Sequence, residues 1–285
     1  MNPIAPALFG LPPGFTDVIA LVVGACVGSF LNVVIRRLPA GASLLRPGSH
    51  CECGAPIAWR DNIPILSWFI LGRKARCCGR RIPGQYPLVE ALTAAAFLAC
   101  KLRYPPAVAL CGWVFLSALI AATFIDLDHL IIPEGLTVGL GLAGIVLSLL
   151  VPALHGDRGD GFALDGVRSV AAAVEGLLVG SGLVLWIAAI TGSLLKKEAI
   201  GMGDVIFVGA IGAFCGWHGA IFAVFGGSLV GVLWIALSII LRTRRRPGLG
   251  AQVPFGPMLA IAGAIYFLAL RGPIDSWFAQ VSPIF

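Results

Sequence analysis

The sequence predicts an all-α polytopic membrane protein of about eight transmembrane helices, with a Cys-containing cytoplasmic loop between the first two. Three observations predict it. Hydrophobic residues make up 58% of the 285 and charged residues only 12%, where a soluble domain is nearer a quarter charged. The apolar runs are long and continuous, which suits helices and not the alternating strands of a lipid-facing barrel. The Lys and Arg residues cluster in alternate connections between the runs, the pattern that orients helices across a bilayer.

The first run, Val18 to Ile35, is followed at once by Arg36 and Arg37. Residues 1–17 carry no Lys or Arg and no Ala-x-Ala site follows the run, so it reads as a transmembrane helix and not as a cleaved signal peptide. Residues 1–35 thus form an N-terminal membrane segment and 36–86 a loop domain. Residues 87–285 form a seven-helix core with spans at 87–103, 107–125, 135–152, 169–190, 204–222, 224–241 and 254–270. Each is about long enough, at roughly 1.5 Å per residue, to cross a hydrocarbon layer of roughly 30 Å. Pro105-Pro106 and the stretch from Gly216 to Gly219 mark turns between neighbouring spans.

Loop charge sets the orientation. Arg36, Arg37, Arg46, Arg60, Arg73, Lys74, Arg76, Arg80 and Arg81 lie in 36–86, Lys196 and Lys197 after the fifth span, and Arg242, Arg244, Arg245 and Arg246 after the seventh. With the N-terminus outside, all of these are cytoplasmic, and only Lys101, Arg103, Arg158, Arg168 and Arg271 of the 20 basic residues are not. The same rule accounts for the net charge of +6, so no nucleic-acid partner is expected.

Two carboxylates converge under this topology. Asp126 closes the third span and Asp204, preceded by Gly201 and Gly203, opens the sixth; both land on the cytoplasmic face. Carboxylates at membrane depth are expensive. A close pair can share a proton and activate a water, as in aspartyl proteases. Gly201 and Gly203 permit close approach of a backbone. Helix-end dipoles favour the anion at Asp204 and the protonated partner at Asp126, although such a pair titrates as a unit. Asp128 reads as an interfacial residue, Glu134 as a residue that orients a neighbour, and Glu90 and Glu175 as intramembrane acids without a catalytic role. Gly135/Gly139, Gly176/Gly180, Gly212/Gly216 and Gly227/Gly231 have the spacing of close helix crossings.

Cys26, Cys100, Cys111 and Cys215 fall in spans and read as small hydrophobes. Cys51, Cys53, Cys77 and Cys78 cluster in the loop, where a reducing cytoplasm favours a structural zinc over disulfides. One ligand set is all four cysteines; another is His50, Cys53, Cys77 and Cys78.

Five motifs in order then resemble the type IV prepilin peptidases, bacterial inner-membrane aspartyl proteases of the GxGD type. They are the run from Gly28 to Pro39, the stretch Asp61-Asn62-Ile63-Pro64-Ile65-Leu66-Ser67-Trp68, Tyr86-Pro87-Leu88-Val89-Glu90, Asp126, and Gly201-Met202-Gly203-Asp204. The resemblance implies cleavage of the basic leader from type IV prepilins or pseudopilins, after a glycine and at the cytoplasmic membrane surface. It also implies N-methylation of the new terminus from S-adenosylmethionine, for which no Gly-rich cofactor signature is visible in the residues. Two departures stand out: the usual CxxC pairs are absent, and Glu134 replaces an Asp. The competing readings are a proton- or ion-coupled transporter and a non-catalytic assembly factor.

Overall fold

The computed structural model describes residues 13–156, 159–196, 200–240 and 254–281. Residues 1–12 and the basic residues Arg158, Lys197, Arg242, Arg244, Arg245 and Arg246, counted above toward orientation, lie outside the described residues. The regular secondary structure of the described residues is helical, with no strand among them beyond isolated bridges. The chain divides into two compact units, Met1–Ala121 and Ala122–Phe285.

The first unit is built on α1 (Pro13–Arg37) and α3 (Gln85–Arg103), with the short α2 (Leu66–Ile70) between them and the first part of α4 (Pro106–His129) after. α1 and α3 pack antiparallel. Asp17 pairs with Lys101, a Cβ on Gly24 would meet Ala94 Cα at 2.7 Å, a Cβ on Gly28 would meet Glu90 Cα at 2.6 Å, and Asn32 Nδ2 donates to the Tyr86 carbonyl at 3.1 Å. Small residues let the two backbones touch. Phe97 stacks on Trp113 at 4.4 Å between ring centroids, and the Trp113 indole N–H donates to the Phe97 carbonyl. Cys100 and Cys111 are buried as expected, but Cys26 is exposed on α1, on a face not turned toward α3.

The second unit holds the end of α4, then α5 (Glu134–Leu150), α6 (Phe162–Leu195), α7 (Met202–Ile240), α8 (Gly256–Ile265), a π turn over Tyr266–Leu270 and α9 (Arg271–Val281). α7 is its centre: Phe207, Val208, Ile211, Ala213 and Phe214 are fully buried. It is two helices in one, broken at Gly216 with φ 70° and ψ −179°, a conformation open to glycine alone. A Cβ on Gly180 of α6 would lie 2.8 Å from the Val208 carbonyl and 3.0 Å from Ala220 Cβ. Residues 208 and 220 are therefore neighbours, and the chain doubles back. The expected turn between the sixth and seventh spans falls at Gly216. α6 crosses the first half at Gly176 and Gly212, where a Cβ on either would stand 2.0–2.2 Å from the other's carbonyl oxygen. Gly227 packs on Leu259 of α8, whereas Gly135 and Gly139 face open space, so three of the four small-residue pairs contribute a helix crossing.

Five helical stretches are long and apolar enough to cross a membrane: Gly14–Arg37, Pro106–His129, Phe162–Leu195, Met202–Ser238 and Gly256–Phe278; Glu134–Leu150 is a shorter apolar helix. This is an all-α polytopic membrane protein. The expected spans at 87–103 and 135–152 are helices too, as α3 and α5.

Candidate active site

Asp126 lies in the last turns of α4, which ends as Leu130 turns to φ 56° and its N–H bonds back to the Asp126 carbonyl at 2.9 Å. Asp204 lies in the first turn of α7, where its N–H bonds to the Gly201 carbonyl at 3.1 Å. Both belong to the second unit, and the two carboxylates are close enough to act on one another electrostatically. Asp126 is only 5% exposed, while Asp204 is half-buried.

Two residues absent from the sequence reading complete the cluster. The Gly256 N–H, at the start of α8, donates to Asp126 Oδ2 at 2.9 Å. Asp126 thus sits both at the C-terminus of α4 and against the N-terminus of α8, where backbone N–H groups favour an acceptor. A Cβ on Gly256 would stand 2.7 Å from Asp126 Oδ2 and 2.8 Å from Ile132 Cδ1. Ile132, in the loop after α4, also backs Gly203, whose Cβ would lie 3.3 Å from the Ile132 carbonyl. Gly203 and Gly256 are therefore places where α7 and α8 approach the Asp126 loop closely. Gly201 has no such neighbour; its nearest atom is Asp204 Oδ2 at 3.9 Å. The signal for Gly256 was Pro254-Phe255-Gly256-Pro257, a helix start with Pro in the first turn.

Asp128, Glu134 and Glu175 are exposed. Glu90 is buried in the first unit, where Oε2 accepts the Ile65 N–H at 2.6 Å.

Two family profiles match: the bacterial peptidase A24 N-terminal domain over residues 22–104 and the type IV leader peptidase family over residues 113–236. The chain is 36% identical, over 90% of its own length and 96% of the relative's, to the type 4 prepilin-like proteins leader peptide-processing enzyme of Escherichia coli. This chain belongs to the type IV leader peptidase family. It is also 35% identical, over 85% of its length and 87% of the relative's, to the prepilin leader peptidase/N-methyltransferase of Aeromonas hydrophila. A protein of the same description in Myxococcus xanthus is 39% identical over 81% of this chain, which spans 65% of that relative. No solved structure matches. As a member of the leader peptidases the chain is a prepilin peptidase, an enzyme whose substrates are type IV prepilins.

The matched N-terminal domain includes the cysteine loop. Two small hairpins, closed by bridges between His50 and Pro56 and between Lys74 and Arg81, each turn at a glycine, Gly54 at φ 86° and Gly79 at φ 68°. They bring Cys51 and Cys78 to 3.6 Å and Cys53 and Cys77 to 3.4 Å, and all four Sγ atoms lie within 4.8 Å of one another. A tetrahedral zinc with Zn–S of about 2.3 Å needs sulfurs about 3.8 Å apart, so the donor set fits. His50 is not in the cluster: its Nδ1 lies 2.9 Å from the Gly48 carbonyl. The Cys53 backbone N–H, then the Cys77 thiol, lower the Cys51 pKa to about 7. Cys77, hydrogen-bonded to Cys53 and then Cys51, is raised to about 12. Glu52 ties the hairpins to α1 by pairing with Arg36 at 2.6 Å and Arg80 at 2.5 Å, and Arg36 first among these holds its carboxyl below the usual range.

The loop domain forms a half-open cavity of about 500 Å³ lined by Arg36, Cys51, Glu52, Trp68, Cys77 and Tyr86 among others. That is the size of a small-molecule site.

Proposed function

We propose that this chain cuts the basic leader from type IV prepilins and pseudopilins after a glycine, with Asp126 and Asp204 as the catalytic carboxylates. The observation that carries this is the electrostatic proximity of two acids far apart in the chain, one of which accepts the Gly256 N–H. One carboxyl holds the shared proton and polarises the scissile carbonyl; the other takes a proton from the attacking water. The Gly256 N–H is a donor to Asp126 that the helix-dipole argument did not count, so we write the pair as one unit sharing a proton. The protein sits in the bacterial inner membrane with its N-terminus periplasmic and the dyad at the cytoplasmic face, which follows from loop charge. A prepilin's basic leader stays on that side while its apolar helix enters lipid, so the scissile bond reaches the depth of the pair.

The relatives' names include N-methyltransferase activity, and the same reading gives this chain S-adenosylmethionine as methyl donor. The loop-domain cavity suits such a molecule, with the Trp68 ring as an aromatic wall and both signs of charge for its cationic and anionic ends. When bound, that donor supplies an activated methyl group. Cys51, Cys53, Cys77 and Cys78 would hold a zinc that fastens the two hairpins, a structural duty.

The test is purified full-length protein in lipid nanodiscs with a synthetic prepilin, read by mass spectrometry for leader loss and for methyl addition with and without S-adenosylmethionine. An intact substrate with the wild-type protein overturns the assignment.

A further inference from the structure

We infer that Ile63–Leu71, nominally part of the aqueous loop domain, is a re-entrant segment that inserts its outer face into the lipid of the leaflet at the C-terminal end of α1.

The register of α1 against α3 sets a depth scale. The Asp17–Lys101 pair marks one end and Arg36-Arg37 the other; their 19-residue separation is about 28 Å at 1.5 Å per residue, close to a hydrocarbon thickness. Gly28 packs on Glu90, eight residues from Arg36 and so about 12 Å inside that end. Glu90 Oε2 accepts the Ile65 N–H at 2.6 Å. The backbone at Ile65 is therefore tied to a side chain rooted about 12 Å inside the Arg36 end, beside α1 and α3.

The segment is made for that depth. Ile63-Pro64-Ile65-Leu66-Ser67-Trp68-Phe69-Ile70-Leu71 contains no charged residue. Its inner side is fixed by hydrogen bonds: Ser67 Oγ donates to the Ile63 carbonyl at 2.6 Å and the Trp68 indole to the Ile82 carbonyl at 3.1 Å. Its outer side leaves Leu66 57%, Phe69 64% and Ile70 73% exposed. Such a contiguous large-apolar face on a rigidly held turn needs an apolar neighbour. The exit residues Arg73 and Lys74 are exposed cations, and the Arg73 guanidinium lies over the Trp68 ring at 4.7 Å. A basic rim beyond an apolar tip complements an anionic leaflet.

Irregular backbone at membrane depth survives only where its polar groups are satisfied. Ile65 forms a strained turn, φ 63° and ψ −53°, closed by the Leu66 N–H on the Pro64 carbonyl at 2.6 Å. Its own N–H has Glu90 for an acceptor. This gives the buried Glu90 of α3 a structural partner.

The test places p-benzoylphenylalanine at Phe69, at Val22 on the exposed face of α1, and at Leu45, 84% exposed in the loop. The full-length protein is irradiated in nanodiscs of phosphatidylethanolamine and phosphatidylglycerol, and adducts are read by intact mass. Lipid adducts at positions 69 and 22 and none at 45 are expected. An adduct at 22 without one at 69 overturns the inference, as does a cross-link from 69 to a second copy. In the same assay Glu90→Gln, which keeps an acceptor, should retain the position-69 adduct, and Glu90→Leu should lose it. Retention in Glu90→Leu overturns the anchoring role.

Discussion

Gly256 and Asp126 are joined by a 2.9 Å hydrogen bond from backbone N–H to carboxylate across 130 positions of chain. Through it the first turn of α8 becomes a wall of the carboxylate cluster. Gly256→Ala would place a methyl 2.7 Å from Asp126 Oδ2, and either the carboxylate or α8 must move. Prepilin cleavage should fall at least tenfold, since sub-ångström misplacement at a reacting centre costs that much or more. Gly203→Ala, with 3.3 Å to the Ile132 carbonyl, should lose less, and Gly201→Ala, with nothing nearer than 3.9 Å, least. Initial rates of leader removal for the three variants check this order.

Asp126→Asn and Asp204→Asn should each lower cleavage on the order of a thousandfold or more, because a shared-proton pair fails as a unit. Thermal unfolding should be little changed in either. A single variant retaining near-wild-type cleavage would refute the dyad.

One zinc per chain is expected by elemental analysis of protein purified without chelator. Cys51→Ser, Cys53→Ser, Cys77→Ser and Cys78→Ser should each reduce it, and His50→Ala should not. Loss of metal should expose residues 50–81 to limited proteolysis.

Burial, and then the nearby Arg271 guanidinium, push the His155 pKa down from 6.5 to about 3. Its Nδ1 lies 3.2 Å from both Ser148 Oγ and Ser169 Oγ. Below pH 6.5 the unfolded chain binds a proton that the folded chain refuses. His155 therefore favours folding fully above pH 6.5 and costs up to about 1.4 kcal/mol per pH unit as pH falls toward 3. The wild-type melting temperature should drop from pH 7.5 to 5 more steeply than that of His155→Gln.

Gly212→Ala would drive a methyl to 2.0 Å from the Gly176 carbonyl oxygen. Overpacking of this kind destabilises by about 1–3 kcal/mol, so the variant should melt lower, whereas Gly139→Ala, facing open space, should not. Thermal melts in detergent decide it.

Much of this was legible in the residues. The even number of spans expected between Asp126 and Asp204 put both at one face, and loop charge assigned that face to the cytoplasm. Gly256 was not legible: its partner is fixed by how α8 packs, and a Pro-flanked helix start says nothing of what it touches. His50 was a false lead of linear spacing. The CxxC interval argument counts residues, while the hairpins at Gly54 and Gly79 set directions, so adjacent Cys77 and Cys78 both reach the cluster. Cys26 was misjudged because an apolar span has no pattern that tells its lipid face from its packed one. The hydrogen bond from the Ile65 N–H to Glu90 needed coordinates.

The reversal at Gly216 decides where everything downstream emerges. An unbroken helix of 39 residues would be about 58 Å long, roughly two bilayers' worth of hydrocarbon, and would carry its far end away from its origin. The glycine makes the journey a return trip, so the strand of chain that leaves Asp204 comes home in time for Gly256 to greet Asp126. Any side chain at 216 that straightened this elbow would strand α8 on the wrong shore and pull the Gly256 N–H away from Asp126 from a distance.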